Sequence, residues 1–189
     1  MAVTGTPMRY CSSCGGSIAV RIPPGEDRER FVCDDCGVVH YRNPRIVTGC
    51  LVNTDDRVLL CRRAIAPRRG FWTLPAGYME NGETAAEGAV RETWEEARAD
   101  VELDGLYTVF NLPHISQVYL FYRARLVGGT WAAGPESLEV DLFPADALPW
   151  EELSFPVVRD TLRWWTEDRH ADVYPVRSGD VLFSQGIRR

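Results

Sequence analysis

The sequence predicts an α/β sandwich behind a small cysteine-stapled segment. Three observations lead there: alternating apolar runs between residues 46 and 143, two stretches of helical periodicity, and two Cys-x-x-Cys pairs ahead of residue 40. A length of 189 residues and an apolar fraction of 45% suit one ordinary domain plus a small appendage. The expected division is residues 1–42 for the cysteine segment, 43–170 for the main domain, and 171–189 for a tail of unknown role.

The first piece is defined by Cys11-x-x-Cys14 and Cys33-x-x-Cys36, each pair followed by a glycine, Gly15 or Gly37. Glycine there relieves the tight turn that lets two thiolates face one ion. Four thiolates at this spacing suit tetrahedral Zn²⁺, and four cysteines leave no open coordination position, so the zinc would be structural. The competing reading is a pair of chance motifs or a redox site, but a redox pair belongs beside a βαβ unit and this segment has no such pattern. His40 is a substitute ligand to consider, although four cysteines already complete the set. A piece this short has too little core to fold unaided.

Asn43-Pro44 marks the boundary as a turn signal. Strands are then expected over 46–52 and 57–62, joined by the turn 53–56, with a short strand at 71–74. A helix should run from about Thr84 to Ala97, followed by strands at 106–111, 117–126 and 139–143 and a second helix from near Phe155 through 160–167. Cys50 and Cys61 lie in apolar runs and read as small buried hydrophobes. The segments 174–176 and 181–183 stay open as short strands, a docking arm or a loose tail.

The formal net charge of −6 argues against a general nucleic-acid binder. All 21 basic residues are arginine, which excludes lysine nucleophiles and Schiff-base chemistry. No apolar run is long enough to span a membrane, and residues 1–10 lack the apolar core of a secretory signal. Six cysteines without an export signal point to a reducing, cytoplasmic setting where metal binding is favoured over disulfides.

The main helix carries Glu92, Glu95 and Glu96, with Glu83 in the preceding loop. Glu92 and Glu96 are one turn apart on one face, and like charges so placed destabilise a helix unless something positive sits among them. A divalent cation such as Mg²⁺ or Mn²⁺ suits such carboxylates; a solvated acidic face is the alternative. Read as Gly77-x5-Glu83-x7-Arg91-Glu92-x-x-Glu95-Glu96, the segment resembles the signature of the Nudix hydrolases, and 70–76 resembles their lead-in strand. Thr93 fills a usually aliphatic slot and Arg98 stands where the family usually has glycine, which leaves the helix terminus open.

The resemblance implies a mixed sheet between helices and Mg²⁺-dependent cleavage of a pyrophosphate bond in a nucleoside diphosphate linked to another group. Carried over by position, Glu92 and Glu96 are metal ligands, Glu95 a ligand or general base, and the backbone carbonyl of Ala76 a further ligand. Arg91 orients through Glu83 or Glu95, and Gly77 and Gly82 let the loop fold back. A later base is offered by Glu139, favoured over Glu136. The ribbon pairing is similar to ADP-ribose and FAD pyrophosphatases, which would release AMP; Pro113 fits the proline of that group. NADH pyrophosphatase or NAD-decapping members are the alternative, without their downstream aromatic–proline motif, and a non-catalytic nucleotide sensor is the other. Tyr78, Phe110 and His114 are aromatic candidates for the substrate ring, Trp72 is assigned to packing, and Arg63, Arg68 or Arg69 could hold phosphate. Homodimers are common in the family, so a homodimer stays open.

Overall fold

The computed structural model describes residues 8–182, and these fall into two compact units divided between Pro44 and Arg45. Phe183 of the suggested 181–183 strand lies outside the described residues, as do residues 1–7 of the N-terminal segment.

The first unit is a three-stranded antiparallel ribbon of β1 (Ile18–Arg21), β2 (Arg30–Cys33) and β3 (Val39–His40). Its apolar core is little more than Phe31 and Val32 together with the buried Cys11 and Cys33. Gly15 and Gly37 both take positive φ (77° and 72°), as the tight turns after each cysteine pair require.

The second unit is built on an eight-stranded mixed sheet. It contains β4 (Arg45–Thr54), β5 (Arg57–Arg63), β6 (Trp72–Thr73), β7 (Ala76–Tyr78), β8 (Asp100–Leu112), β9 (Gln117–Val127), β10 (Ser137–Pro144) and β11 (Arg177–Asp180). The central order is β10-β5-β4-β9-β8-β11, with β4–β9 and β8–β11 parallel. Helices α1 (Ala85–Ala97) and α2 (Pro156–Asp168) cover opposite faces, because side chains alternate across each strand. Cys50, Val52, Leu59, Cys61 and Ala124 pack with Ala89 and Ala97 of α1. Leu51, Val58, Leu60, Tyr107 and Phe121 pack with Val157, Leu162 and Trp165 of α2. The result is the expected α/β/α sandwich, and burial pushes the Cys50 thiol up to about 12, in keeping with an inert hydrophobe.

β4 is shared between two partners. Its end pairs with β5 across the Asp55–Asp56 turn, and its start pairs with β7. A side chain at Gly49 would overlap Pro75 and Ala76, so glycine at this point lets β7 close against β4. This brings the start of the glutamate loop onto the sheet.

α1 opens with a capping box: Thr84 Oγ1 accepts from Glu87 N (3.2 Å) while the Glu87 carboxylate accepts from Thr84 N (2.7 Å). At the other end Arg98 itself takes the left-handed conformation (φ 48°, ψ 33°) that glycine ordinarily supplies, and its N–H donates to Trp94 O at 2.9 Å. The loop after β9 adds Ala132 N to Ala97 O (2.8 Å) and Gly134 N to Glu96 O (2.9 Å). The helix therefore ends where expected despite the substitution. Arg98→Gly should raise stability by about 0.5–1 kcal/mol in urea unfolding, by removing the left-handed penalty. Thr93 is fully buried, and its hydroxyl donates to Ala89 O at 2.8 Å, so the helix backbone itself satisfies the polar group.

The tail contributes a strand that apolar patterning did not indicate. β11 lies parallel to β8 on the sheet edge and is fastened by side chains. Asp168 at the end of α2 accepts from Arg177 Nε (2.8 Å), from Arg177 Nη2, and from the Tyr107 hydroxyl (2.8 Å). The Arg177 fork, helped by Tyr107, holds the Asp168 carboxyl below its usual range. That contribution is complete above the ordinary aspartate value near 3.8 and is lost as pH falls below it. Asp168→Ala should cost about 3–5 kcal/mol at neutral pH, measured by denaturant unfolding, because it strands a partly buried guanidinium.

Candidate active site

α1, β7 and the loop between them bring the glutamates around one arginine. Arg91 donates to both Glu83 oxygens (Nε 3.0 Å, Nη2 2.8 Å), to Glu92 Oε1 (2.8 Å), to Glu95 Oε2 (3.3 Å) and to the Tyr78 carbonyl (3.1 Å). Arg91 and the Glu80 amide hold Glu83 down at about 2. The fan ties the loop to the helix through both Glu83 and the Tyr78 backbone. Gly77 serves here by lacking a side chain: a Cβ would run into the Glu92 carboxylate. Gly82 has φ 90°, a turn that needs glycine.

Glu96 stands outside the arginine fan. It is 7% exposed and accepts from the Ala76 amide at 3.2 Å. Burial pushes it up to about 8, with the neighbouring charges of Glu92 and Glu136 adding to the rise. Burial also raises Glu92, against the pull of Arg91. Glu95 is the accessible member, with its side chain 54% exposed. This donor set is all oxygen, and its two buried carboxylates are costly to ionise without a further positive charge. Both properties fit a hard divalent cation.

These groups border a cavity of about 1030 Å³ that reaches from Glu92, Glu95 and Glu96 to Tyr78, His114 and the start of α2. Tyr78 is 43% exposed; its hydroxyl accepts from Gln117 Nε2 (2.8 Å), and the Arg45 guanidinium lies 4.6 Å from its ring centre. His114 lines the cavity with Nδ1 2.9 Å from Val181 O. Arg63 and Arg68 line it too, whereas Arg69 does not.

Two expected site residues are placed elsewhere. Phe110 is 1% exposed and stacks on Trp164 (5.2 Å, 9°), so it is core and no substrate platform. Glu139 pairs with Arg62 (3.4 Å) on the exposed side of β10 and does not line the cavity, whereas Glu136 does. Glu136 precedes β10, whereas Glu139 lies within it, beyond a register shift between Ser137 and Glu139. Trp72 is core, edge-on to Phe143 at 4.7 Å. The residues missed were Gln117, Tyr119 and Ser154. The first two share one face of β9, so period-two counting from Gln117 could have found them.

In the ribbon, the Sγ atoms of Cys11, Cys14, Cys33 and Cys36 all lie within 4.8 Å of one another. Backbone amides of Ser13, Gly16 and Cys36 donate to Cys11, Cys14 and Cys33, each at 3.4 Å. Four soft ligands with amide support in this arrangement fit a structural Zn²⁺. His40 Nε2 is 3.3 Å from Cys11 Sγ and acts as a neighbour to the cluster.

A half-buried glutamate cluster gathered largely by one arginine on the lining of a large cavity fits a cation-assisted hydrolase. The profile of the NUDIX domain matches residues 42–165, and that of the Nudix N-terminal zinc ribbon matches residues 9–42. The chain belongs to the Nudix hydrolase family, whose enzymes use a divalent cation such as Mg²⁺. It is similar to the crystal structure of a NUDIX hydrolase from Nitrosomonas europaea, with a TM-score of 0.87 and 47% identity, covering 92% of this chain and 100% of that one. It is 29% identical over 133 residues to an ADP-ribose pyrophosphatase of Methanocaldococcus jannaschii, covering 66% of this chain and 76% of the relative. An NAD-capped RNA hydrolase NudC of Pseudomonas aeruginosa is 29% identical over 177 residues, 90% of this chain but 60% of that protein. Among the described residues no helix is long and apolar enough to cross a membrane.

Proposed function

We propose that the protein hydrolyses the pyrophosphate bond of ADP-ribose or FAD, releasing AMP and a second phosphorylated product. The observation that carries this reading is the cavity, whose lining joins the glutamate cluster to Tyr78, Tyr119 and Phe155, aromatic groups suited to a flat ring. The ADP-ribose pyrophosphatase named above supports it, since the match covers three quarters of that protein.

Glu92, Glu95, Glu96 and the Ala76 carbonyl are the groups assigned to hold Mg²⁺ or Mn²⁺. When bound, the cation neutralises diphosphate charge and acidifies the attacking water. Arg91, braced by Glu83, positions Glu92 and Glu95. Glu95 and Glu136, two of the accessible carboxylates at the cavity, are placed to take the proton from water. Tyr78 and His114 contact the substrate ring, and Arg63 holds phosphate. The compartment that suits this activity and cysteine usage is the cytoplasm.

The NudC relative favours a second reading, NADH or NAD-cap cleavage, because that match extends across most of this chain. A panel of ADP-ribose, FAD, NADH and NAD-capped RNA with Mg²⁺, followed by product chromatography, separates the two. The first reading expects kcat/KM highest for ADP-ribose or FAD with AMP formed. Preference for NADH or capped RNA would replace it with the second.

A further inference from the structure

We propose that the cavity contains a dedicated phosphate site beside the glutamate cluster, formed by Ser154, the first turn of α2, Arg63 and Arg68. It rests on the pyrophosphatase reading and assigns the site to a phosphate of the substrate diphosphate.

Ser154 is the starting point. It is 2% exposed, it lines the cavity, and its Oγ has no hydrogen-bond partner among the described residues. A buried hydroxyl left unpaired costs about 1–3 kcal/mol, so it is retained at a loss unless something else uses it. Arg68 repeats the pattern on the same cavity. Its Nε is buried without a partner among the described residues, and its backbone sits at φ 63°, a conformation that costs a non-glycine residue about 1–2 kcal/mol. Two unpaired buried donors and a strained backbone meet at one cavity.

The helix start supplies the rest. α2 has 13 residues, and its N-cap, Phe155, gives no side-chain cap. Pro156 has no N–H, while the amides of Val158 and Arg159 both turn back to Phe155 O at 3.1 Å. The Val157 amide and the positive end of the helix are left to serve an anion, and Phe155 to Val158 all line the cavity. The Arg63 guanidinium lies 5.1 Å from the Phe155 ring centre, its Nε directed by Pro67 O at 2.9 Å. Arg63 lines the same cavity as Glu92, Glu95 and Glu96, so a phosphate held here shares that cavity with the cluster that would hold the cation. Every polar group in this set donates and two are cationic. The complementary ligand is an oxyanion with several acceptor oxygens.

Inorganic phosphate is the probe. In Ser154→Ala the melting temperature should stay equal or rise, because an unpaired hydroxyl is removed. The inhibition constant of phosphate should rise about tenfold, the worth of one hydrogen bond to a charged group, and KM for the dinucleotide should rise more than kcat falls. Arg68→Gly should likewise stabilise the fold while weakening phosphate inhibition. Unchanged phosphate inhibition in both variants overturns the site, as does a lower melting temperature in Ser154→Ala with inhibition intact. Weaker phosphate inhibition with unaltered KM overturns the assignment to substrate. Phosphate-induced stabilisation of the unreacting protein reads the site without turnover. A Ser154-dependent shift there supports it even if no diphosphate substrate is cleaved, and its absence in the wild type overturns it.

Discussion

Glu96→Gln is expected to lower hydrolysis by about 10²–10⁴-fold while making the cation-free protein more stable near neutral pH. The two effects share one cause. Glu96 is buried, accepts one amide hydrogen bond and lies outside the Arg91 fan, so burial lifts it from 4.5 to about 8. Between those values the folded state keeps a proton that the unfolded chain has released. Stability therefore falls as pH rises through the window and levels off above it. At 1.36 kcal/mol per pH unit the penalty is on the order of 5 kcal/mol. Glutamine retains an acceptor for the Ala76 amide and carries no charge. Thermal unfolding of the cation-free wild type should decline from pH 5 to 8 (roughly the linkage window), whereas the variant, left with the raised Glu92 alone, declines much less over that range. Mg²⁺ should restore the wild type and leave the variant unmoved. A variant destabilised at every pH, or stabilised by Mg²⁺ as much as the wild type, contradicts this account of Glu96.

Removing zinc is expected to unfold the ribbon and leave the second unit folded. Among the described residues, the ribbon's buried apolar residues beyond its cysteines are Pro23, Phe31 and Val32. Binding energies of about 10–16 kcal/mol for structural zinc in small fingers far exceed what so small a core supplies. Cys33→Ser, at a fully buried position, should act like a chelator. Hydrogen exchange should then lose protection at residues 18–40. The amides of α1 and of the central strands should keep theirs, because those elements have separate cores on each face of their own sheet. Protection retained in the ribbon after complete zinc removal would contradict a metal-built fold.

Much of the fold was legible because it is written in apolar periodicity. β4, β5, β9 and both helices lie within a few residues of where alternation placed them. β8 begins six residues earlier than expected, since Asp100, Glu102, Asp104 and Gly105 look like a loop. Bulges at Leu103/Gly105 and Leu106/Thr108 carry the strand through. β11 was invisible for another reason: Arg177-Ser-Gly-Asp180 has no apolar residue, and side-chain bonds to Asp168 and Asn111 hold it.

The site divides along the same line. Gly77 to Glu96 is local, so its spacing alone placed the residues that Arg91 gathers. Phe110 and Glu139 depended on which side of a strand faces the cavity, and a bulge reverses that parity. Ser154 carries no sequence signal at all, because what singles it out is a missing partner in a buried place.

The most direct test of the central claim is hydrolysis of ADP-ribose and FAD in ¹⁸O-labelled water with Mg²⁺, read by phosphorus NMR and mass spectrometry. The account predicts AMP and a second phosphomonoester, with one label on a single product phosphate, and loss of both products in Glu96→Gln. Tight binding with the dinucleotide recovered intact, or cleavage at a bond other than P–O–P, would contradict it.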